Sequence, residues 1–425
     1  MKIYHANILY TPTPAAFEIK CGGFVVVDEC GIIQGVYNRL PKEWNGHPVI
    51  DFGERLLIPA MNDMHVHAPQ WANMGIAMDL ELIPWLNTYT FPEERKFEDP
   101  KYAQSIYRAF VNELCRQGTM RAAVFATVHL PATECLVKCF DQIGMGAMIG
   151  LVGMDRHAPD YLLNTVESWE TSMLKLIDLL KDHPLIHPII TPRFIPSCSP
   201  QILQRMGEMA QEYALPVQSH LSENKLEIEW VKQLEPSASC YGDAYNSYGL
   251  FGQTPALMAH CCYTEGEELR MMKANGVGVV HCPMSNCNLA SGIAPIRRFV
   301  QEGLTVTLGT DIAGGHNLSI MRVMQYAVQM SKLQYAMSDG KLPFLTLSEV
   351  FYMATKAGGA YFGKVGSFEK GYAFDALVID DSKLYSTDTY KERDILHRLE
   401  KFIYVGDDRH ILHRYCQGKE IAIAD

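Results

Sequence analysis

Two histidines one residue apart close the stretch Asp63-Met64-His65-Val66-His67, which follows an apolar run over residues 56–61. If that run is a strand, side chains two apart share a face, so the imidazoles of His65 and His67 turn toward one point. Neutral imidazole is the commonest side-chain ligand for zinc-like ions, and a converging pair is half of a metal site. In a chain with 15 histidines such a pair also arises by chance, so the missing ligands have to be found elsewhere. Candidates stand just after other apolar runs: His220, His260 and His281, and Asp311 in Gly309-Thr310-Asp311. Each has an ordinary structural reading. His220 and Asp311 could cap helices, and His260 and His281 could be core histidines bonded to backbone. Together, His65, His67, His220 and Asp311 supply three imidazoles and a carboxylate, a set suited to zinc or ferrous iron with room for a water. On zinc that water has its pKa lowered to about 7, which makes a hydroxide nucleophile available. His281 keeps its structural reading, because Pro283 follows at once and the set is complete without it. Glu223, three residues after His220, opens a segment carrying Leu226, Trp230 and Leu234. Its ordinary reading is a surface acid in a first helical turn; its position beside the site suits an acid-base group.

These residues need a framework that gathers strand ends. Apolar runs at 56–61, 120–128, 147–152, 188–191, 216–219, 256–259, 277–280 and 304–308 alternate with longer amphipathic segments. That is the sequence form of repeated β-α units. Eight parallel strands over about 300 residues meet the requirement of a (β/α)8 barrel, in which every strand end faces the same mouth. One helix is predicted over 265–273, with Leu269 and Met272 on its apolar side and Gly276 as its stop. An open doubly wound sheet is the competing arrangement, and the polar residues at the strand ends favour the barrel. The flanks read differently. Residues 24–36 predict a β-hairpin around Asp28-Glu29-Cys30-Gly31, residues 49–50 a short strand, and 371–380 and 415–423 further short strands. The α/β chain therefore divides into a (β/α)8 barrel over 56–365 and a small β-sandwich domain assembled from 1–55 and 366–425.

Composition narrows the partners. Hydrophobic residues make up 48% and charged residues 20% of the 425, the balance of a soluble globular protein. A net charge of −11 argues against nucleic acid, whose binders carry a basic patch, and fits a small neutral substrate. No run of 18 apolar residues and no basic-then-apolar leader is present, so no membrane is implicated and the cytosol is expected. The 12 cysteines include no C-x-x-C pair and read as small buried residues in a reducing compartment.

The motifs Asp63-Met64-His65-Val66-His67, His220 to Glu223, Met258-Ala259-His260, His281-Cys282-Pro283 and Leu308-Gly309-Thr310-Asp311 resemble the amidohydrolase superfamily, in particular its single-metal deaminase branch. Within that branch, five stretches are similar to the members that deaminate guanine. They are residues 84–92, Thr191-Pro192-Arg193-Phe194, residues 219–224, residues 309–315 and residues 401–409. The resemblance covers nearly the whole chain. It departs at Pro59-Ala60, where the family more often has Pro-Gly. It implies that His65, His67, His220 and Asp311 bind one divalent metal ion, zinc or alternatively ferrous iron, with His260 beside the bound water or as a more distant ligand. Glu223 and Asp311 would carry protons, Asp311 taking one from the attacking water and Glu223 protonating the ring nitrogen and helping ammonia leave. Binuclear members carry a lysine at the end of the fourth strand. Ile189-Ile190-Thr191-Pro192-Arg193 has none, so a single metal is expected.

The implied reaction is hydrolysis of guanine to xanthine and ammonia, with guanine and water as partners and a homodimer as the assembly. Chemistry agrees with that substrate. A guanidinium at Arg193 matches the O6/N7 acceptor edge of guanine, whereas adenine presents a donor at position 6. Phe194 can stack on the purine, and Gln70 can pair with its amide edge as both donor and acceptor. The ordinary readings are a surface salt bridge for Arg193 and a core side chain for Phe194. Two alternatives remain: a deaminase or chlorohydrolase of the same branch acting on another aminopurine, pyrimidine or triazine, and a non-catalytic scaffold that keeps the barrel.

Overall fold

The computed structural model describes residues 1–387 and 391–423; residues 388–390 and 424–425, inside the predicted end domain, lie outside the described residues. Strands Met61–His67, Thr119–Phe125, Gly146–Gly150 and Ile186–Pro188 lie side by side, all parallel. Val217–Leu221, Ala256–His260, Gly278–His281 and Val306–Leu308 continue in the same manner. Backbone bonds join the two sets, Ile190 N to Pro216 O and Gln218 N to Ile190 O, each 2.9 Å. At the other edge Asp311 N donates to His65 O at 2.8 Å and His67 N to Ile312 O at 3.1 Å, which brings the end of the eighth strand against the first. This is the (β/α)8 barrel that the alternation of the sequence predicts. Inward side chains fill its lumen: Met64, Ala123, Met148, Ile189, Leu257 and Val280 form one buried cluster.

The helices outside are set by ordinary signals. Pro100–Arg116 begins at Asp99, whose carboxylate accepts from Lys101 N, has proline in its first turn, and buries Ala103, Tyr107, Phe110, Val111 and Leu114 along one face. Gly266–Asn275 ends on Gly276 in the left-handed conformation, with Leu269 and Met272 buried as the sequence predicts.

The two chain ends meet in one seven-stranded sheet. Lys2–Thr13 pairs antiparallel with Ala16–Val27, which pairs with Ile33–Tyr37 across the predicted hairpin turn. Asp28 Oδ1 holds that turn by accepting from Cys30 N and Ile32 N. Val49–Pro59 lies between Lys2–Thr13 and the late strand Ala376–Ile379, with Ile411–Cys416 beyond. Here the expectation needs correcting. Residues 56–59 belong to this end sheet, and the first barrel strand is Met61–His67, which carries the histidines within it. An apolar run does not state which of two sheets will take it. Arg121 on the second barrel strand locks the two parts together, its Nε donating to Asp375 at 2.6 Å with both side chains almost fully buried.

Candidate active site

Met61–His67 delivers His65 and His67 to one face, as its two-residue period requires. Val217–Leu221 delivers His220, and Asp311 follows Val306–Leu308. One ligand atom from each of these four residues lies within 4.8 Å of all the others. His65 Nε2 stands 3.2 Å and His67 Nε2 3.4 Å from Asp311 Oδ1, and His67 Nε2 stands 3.2 Å from His220 Nε2. Ligands about 2.0–2.1 Å from a tetrahedral ion are about 3.3–3.4 Å apart, so these separations match the edges of a metal polyhedron. His65 Nε2 is buried and lacks a hydrogen-bond partner of proper alignment, as expected of an atom reserved for an ion. His220 Nδ1 lies 2.6 Å from the Arg193 carbonyl, which fixes the proton on Nδ1 and leaves the Nε2 lone pair toward the cluster.

Electrostatics sort the imidazoles. Burial lowers His65, and Asp311 only partly offsets it. His67 and His220 fall well below the usual histidine range through burial and then their neighbouring imidazoles. All three therefore offer lone pairs, the state a metal needs. Burial also opposes ionisation of Asp311, but His65, His260 and His67 outweigh it and hold the carboxyl well below its ordinary range. His260 differs: burial would lower it, yet the carboxylates of Glu223 and Asp311 raise it. Its Nε2 lies 3.5 Å from Glu223 and 3.7 Å from Asp311, outside the four-ligand set, while its Nδ1 is 2.9 Å from Asn286 Oδ1.

Backbone close to the cluster is tightly constrained. His260 and Asp311 take φ of +73° and +49°, a left-handed conformation uncommon for residues with a side chain, at the points where they turn to the mouth. Gly309 has to be glycine, since a Cβ there would stand 2.8 Å from His65 Cβ and 2.9 Å from Val280. Asp63, directly before the histidine pair, accepts from Thr310 N and from His65 N and so ties the first strand to the eighth.

Glu223 lies one residue before the cap, Asn224, of helix Lys225–Leu234. Burial raises its pKa above the ordinary value, so it holds a proton more readily than a surface acid. Ser291 Oγ donates to its Oε1 at 2.8 Å. The buried face of that helix is not the one that carries Leu226, Trp230 and Leu234. Leu226 is 67% exposed, and Glu227 and Val231 face inward. Glu227 accepts from Glu223 N at 3.1 Å, Asn224 N at 3.2 Å and Tyr241 Oη at 2.7 Å. Burial, then the charge of Glu223, pushes its pKa up to about 7.

The four-ligand cluster opens into a pocket that encloses about 450 Å³ of empty space, part of it open to solvent. Leu82, Trp85 and Leu86 belong to its lining. Gln70, Arg193 and Phe194 line it as well, the last set edge-on to Trp230 at 6.2 Å. Arg193 is not a surface residue. Its two terminal nitrogens donate to Glu94 Oε2 at 2.6 Å and Oε1 at 3.0 Å, and its guanidinium lies 5.1 Å over the Phe91 ring. Gln70 Nε2 donates to the same Glu94 Oε1 at 3.0 Å, while its Oε1 accepts from Ala313 N at 3.0 Å. Gln70 is thus held from both ends, its oxygen on a backbone donor and its nitrogen on the carboxylate, with one amide hydrogen left for a further acceptor.

The pocket accordingly gathers His67, Gln70, Arg193, Phe194, His220, Glu223, His260 and Asp311, with His65 beneath. His281 lies outside it, buried at the end of its strand, with burial holding its pKa down to about 3. Sequence reasoning missed Glu94, Glu227, Asn286 and Ser291. The last two follow His281-Cys282-Pro283 closely enough to have been suspected; Glu94 and Glu227 sit in helical segments where an acid reads as surface.

Residues 56–421 match the family model described as Amidohydrolase family. The chain is 35% identical to the guanine deaminase of Dictyostelium discoideum, over 99% of this chain and 98% of that protein. It is 34% identical to the guanine deaminase of Escherichia coli, over 87% and 84% of the two chains. The crystal structure of a guanine deaminase from C. acetobutylicum with bound guanine in the active site superposes with a TM-score of 0.97. That protein is 47% identical to this chain, and the match covers 99% and 100% of the two chains.

Proposed function

The chain belongs to the amidohydrolase family, and from that premise we propose that it deaminates guanine hydrolytically, giving xanthine and ammonia. The observation that carries this reading is the pairing, across one pocket, of the His65, His67, His220 and Asp311 cluster with the donor wall of Arg193 and Gln70. The cluster suits a single divalent ion, zinc or alternatively ferrous iron, which supplies Lewis-acid activation of water when bound.

The chain's own residues do the rest. Arg193 and Gln70 donate to the acceptor edge of the purine and turn C2 toward the cluster. Phe194 borders the ring, and Leu82, Trp85 and Leu86 shield it from water. Asp311, held ionised, accepts the proton of the attacking water as the C2–O bond forms. Glu223, whose pKa burial raises, donates a proton to the ring nitrogen beside C2. Glu223, left as a carboxylate, then takes the proton of the new C2 hydroxyl while Asp311 gives its proton to the amine, so that the C2–N bond breaks, the C2 carbonyl forms, ammonia leaves and both carboxyl groups return to their starting states. His260, whose pKa Glu223 and Asp311 raise against burial, turns Nε2 toward the reacting oxygen. General acid-base help of this kind is worth about 10²–10⁴ in rate.

We also read the protein as a cytosolic homodimer of purine catabolism. All twelve cysteines are free, which supports a reducing compartment. Among the described residues no helix is long and apolar enough to cross a membrane. The deciding experiment measures ammonia and xanthine from guanine before chelation, after it, and after metal is restored. Turnover should vanish and return; no ammonia from the metal-restored protein refutes the reading. Arg193→Ala should depress turnover of guanine more than that of other aminated heterocycles, and equal depression refutes the pocket assignment.

A further inference from the structure

Glu94 has no place in the deamination chemistry, yet it is 4% exposed and touches both residues that would read the purine edge. Its carboxylate occupies one N–H on each terminal nitrogen of Arg193 and one amide hydrogen of Gln70. Gln70 is pinned from both ends, with its oxygen on Ala313 N and its nitrogen on Glu94. Only one of the two amide orientations satisfies both contacts, so the hydrogen directed at the pocket is fixed as a donor. Arg193 lines the same pocket and has no acceptor, so any group it presents there is a donor. Of the atoms these two residues have left for the pocket they line, the guanidinium and the amide nitrogen are donors, and the amide oxygen is turned to Ala313 N.

We infer that Glu94 is the positioning residue for substrate choice: by holding Arg193 and Gln70 as a donor-only edge, it selects purines with a 6-oxo acceptor over those with a 6-amino donor. The inference rests on the reading of the pocket as a guanine site. Glu94 also sits in helix Phe91–Arg95, directly after the segment whose Leu82, Trp85 and Leu86 line the pocket, and Phe91 of the same helix lies under the guanidinium. That segment and the reading edge are thus fastened at one carboxylate.

Glu94→Gln keeps the shape but sets an amide NH2 against the donors of Arg193 or Gln70. Hydrogen bonds to charged groups contribute enough that losing one changes an equilibrium by on the order of 10- to 100-fold. The test compares kcat/KM for guanine and for 2,6-diaminopurine in wild type, Glu94→Gln and Glu94→Asp. Wild type should favour guanine. In Glu94→Gln that preference should shrink by at least about tenfold, mainly through KM for guanine, with the pH profile of kcat unmoved. Glu94→Asp keeps the carboxylate one methylene short and should recover part of the preference. A purely structural role would lower both substrates alike. Wild type that releases no ammonia from guanine overturns the guanine reading and this inference with it. Wild type that discriminates while Glu94→Gln keeps the same ratio overturns the role of Glu94 alone. If Glu94→Gln fails to fold, the comparison passes to Glu94→Asp, where an unchanged ratio has the same meaning.

Discussion

Glu227 sets burial against hydrogen bonding in a way that a pH series can resolve. Two backbone N–H groups and the Tyr241 hydroxyl donate to its carboxylate, an arrangement that favours the charged form. Full burial and the nearby Glu223 favour the neutral form and win, bringing the pKa up to about 7 from 4.5. As pH rises from 4.5, the unfolded chain gives up this proton while the folded protein keeps it. The unfolded state then binds fewer protons, so stability is lost progressively until the folded group also ionises near pH 7. A shift of about 2.5 units corresponds to about 3 kcal/mol. Glu227→Gln cannot titrate, and its amide can still accept from the backbone N–H groups. Urea unfolding of both proteins at pH 4.5, 5.5, 6.5 and 7.5 isolates the difference, because every other group titrates in both. Wild type should lose about 3 kcal/mol relative to Glu227→Gln across that range and nothing further above it. Parallel curves would show that the three donors keep Glu227 ionised throughout, and the burial argument would fail.

Two further outcomes follow from the geometry. Glu223→Gln should lower kcat on guanine by about 10²–10⁴ with metal content unchanged, measured by steady-state kinetics beside elemental analysis. Arg121→Ala should destabilise the protein by about 3–5 kcal/mol by stranding the buried Asp375 carboxylate. The double change Arg121→Met with Asp375→Leu should recover most of that loss in thermal unfolding.

His65 and His67 were legible because a strand's period forces them together, and His220, His260 and Asp311 because a barrel turns its strand ends to one mouth. Arg193 was legible as a reader of an acceptor edge, but its partner was not. Glu94 lies 99 positions upstream in a short helix, and nothing local distinguishes it from the neighbouring Glu93. Glu227 was hidden for the same reason, since Leu226 beside it made the wrong face of the helix look like the inner one. The run at 56–61 was apportioned wrongly because hydrophobicity records burial without naming the neighbour. Long-range pairing decided that case, and it is not written in any window of sequence.

The pairing of Val49–Pro59 with Ala376–Ile379 has a consequence for how the molecule is made. One strand leaves the ribosome early, and its neighbour about three hundred residues later. At elongation rates of about 5–20 residues per second, the unpaired side of Val49–Pro59 waits tens of seconds for its partner. For that interval Leu56, Leu57 and Ile58 present an open strand edge, the kind that seeds association between nascent chains. Synthesis on crowded polysomes, rather than the stability of the finished enzyme, is therefore the stage at which this architecture is most exposed to aggregation.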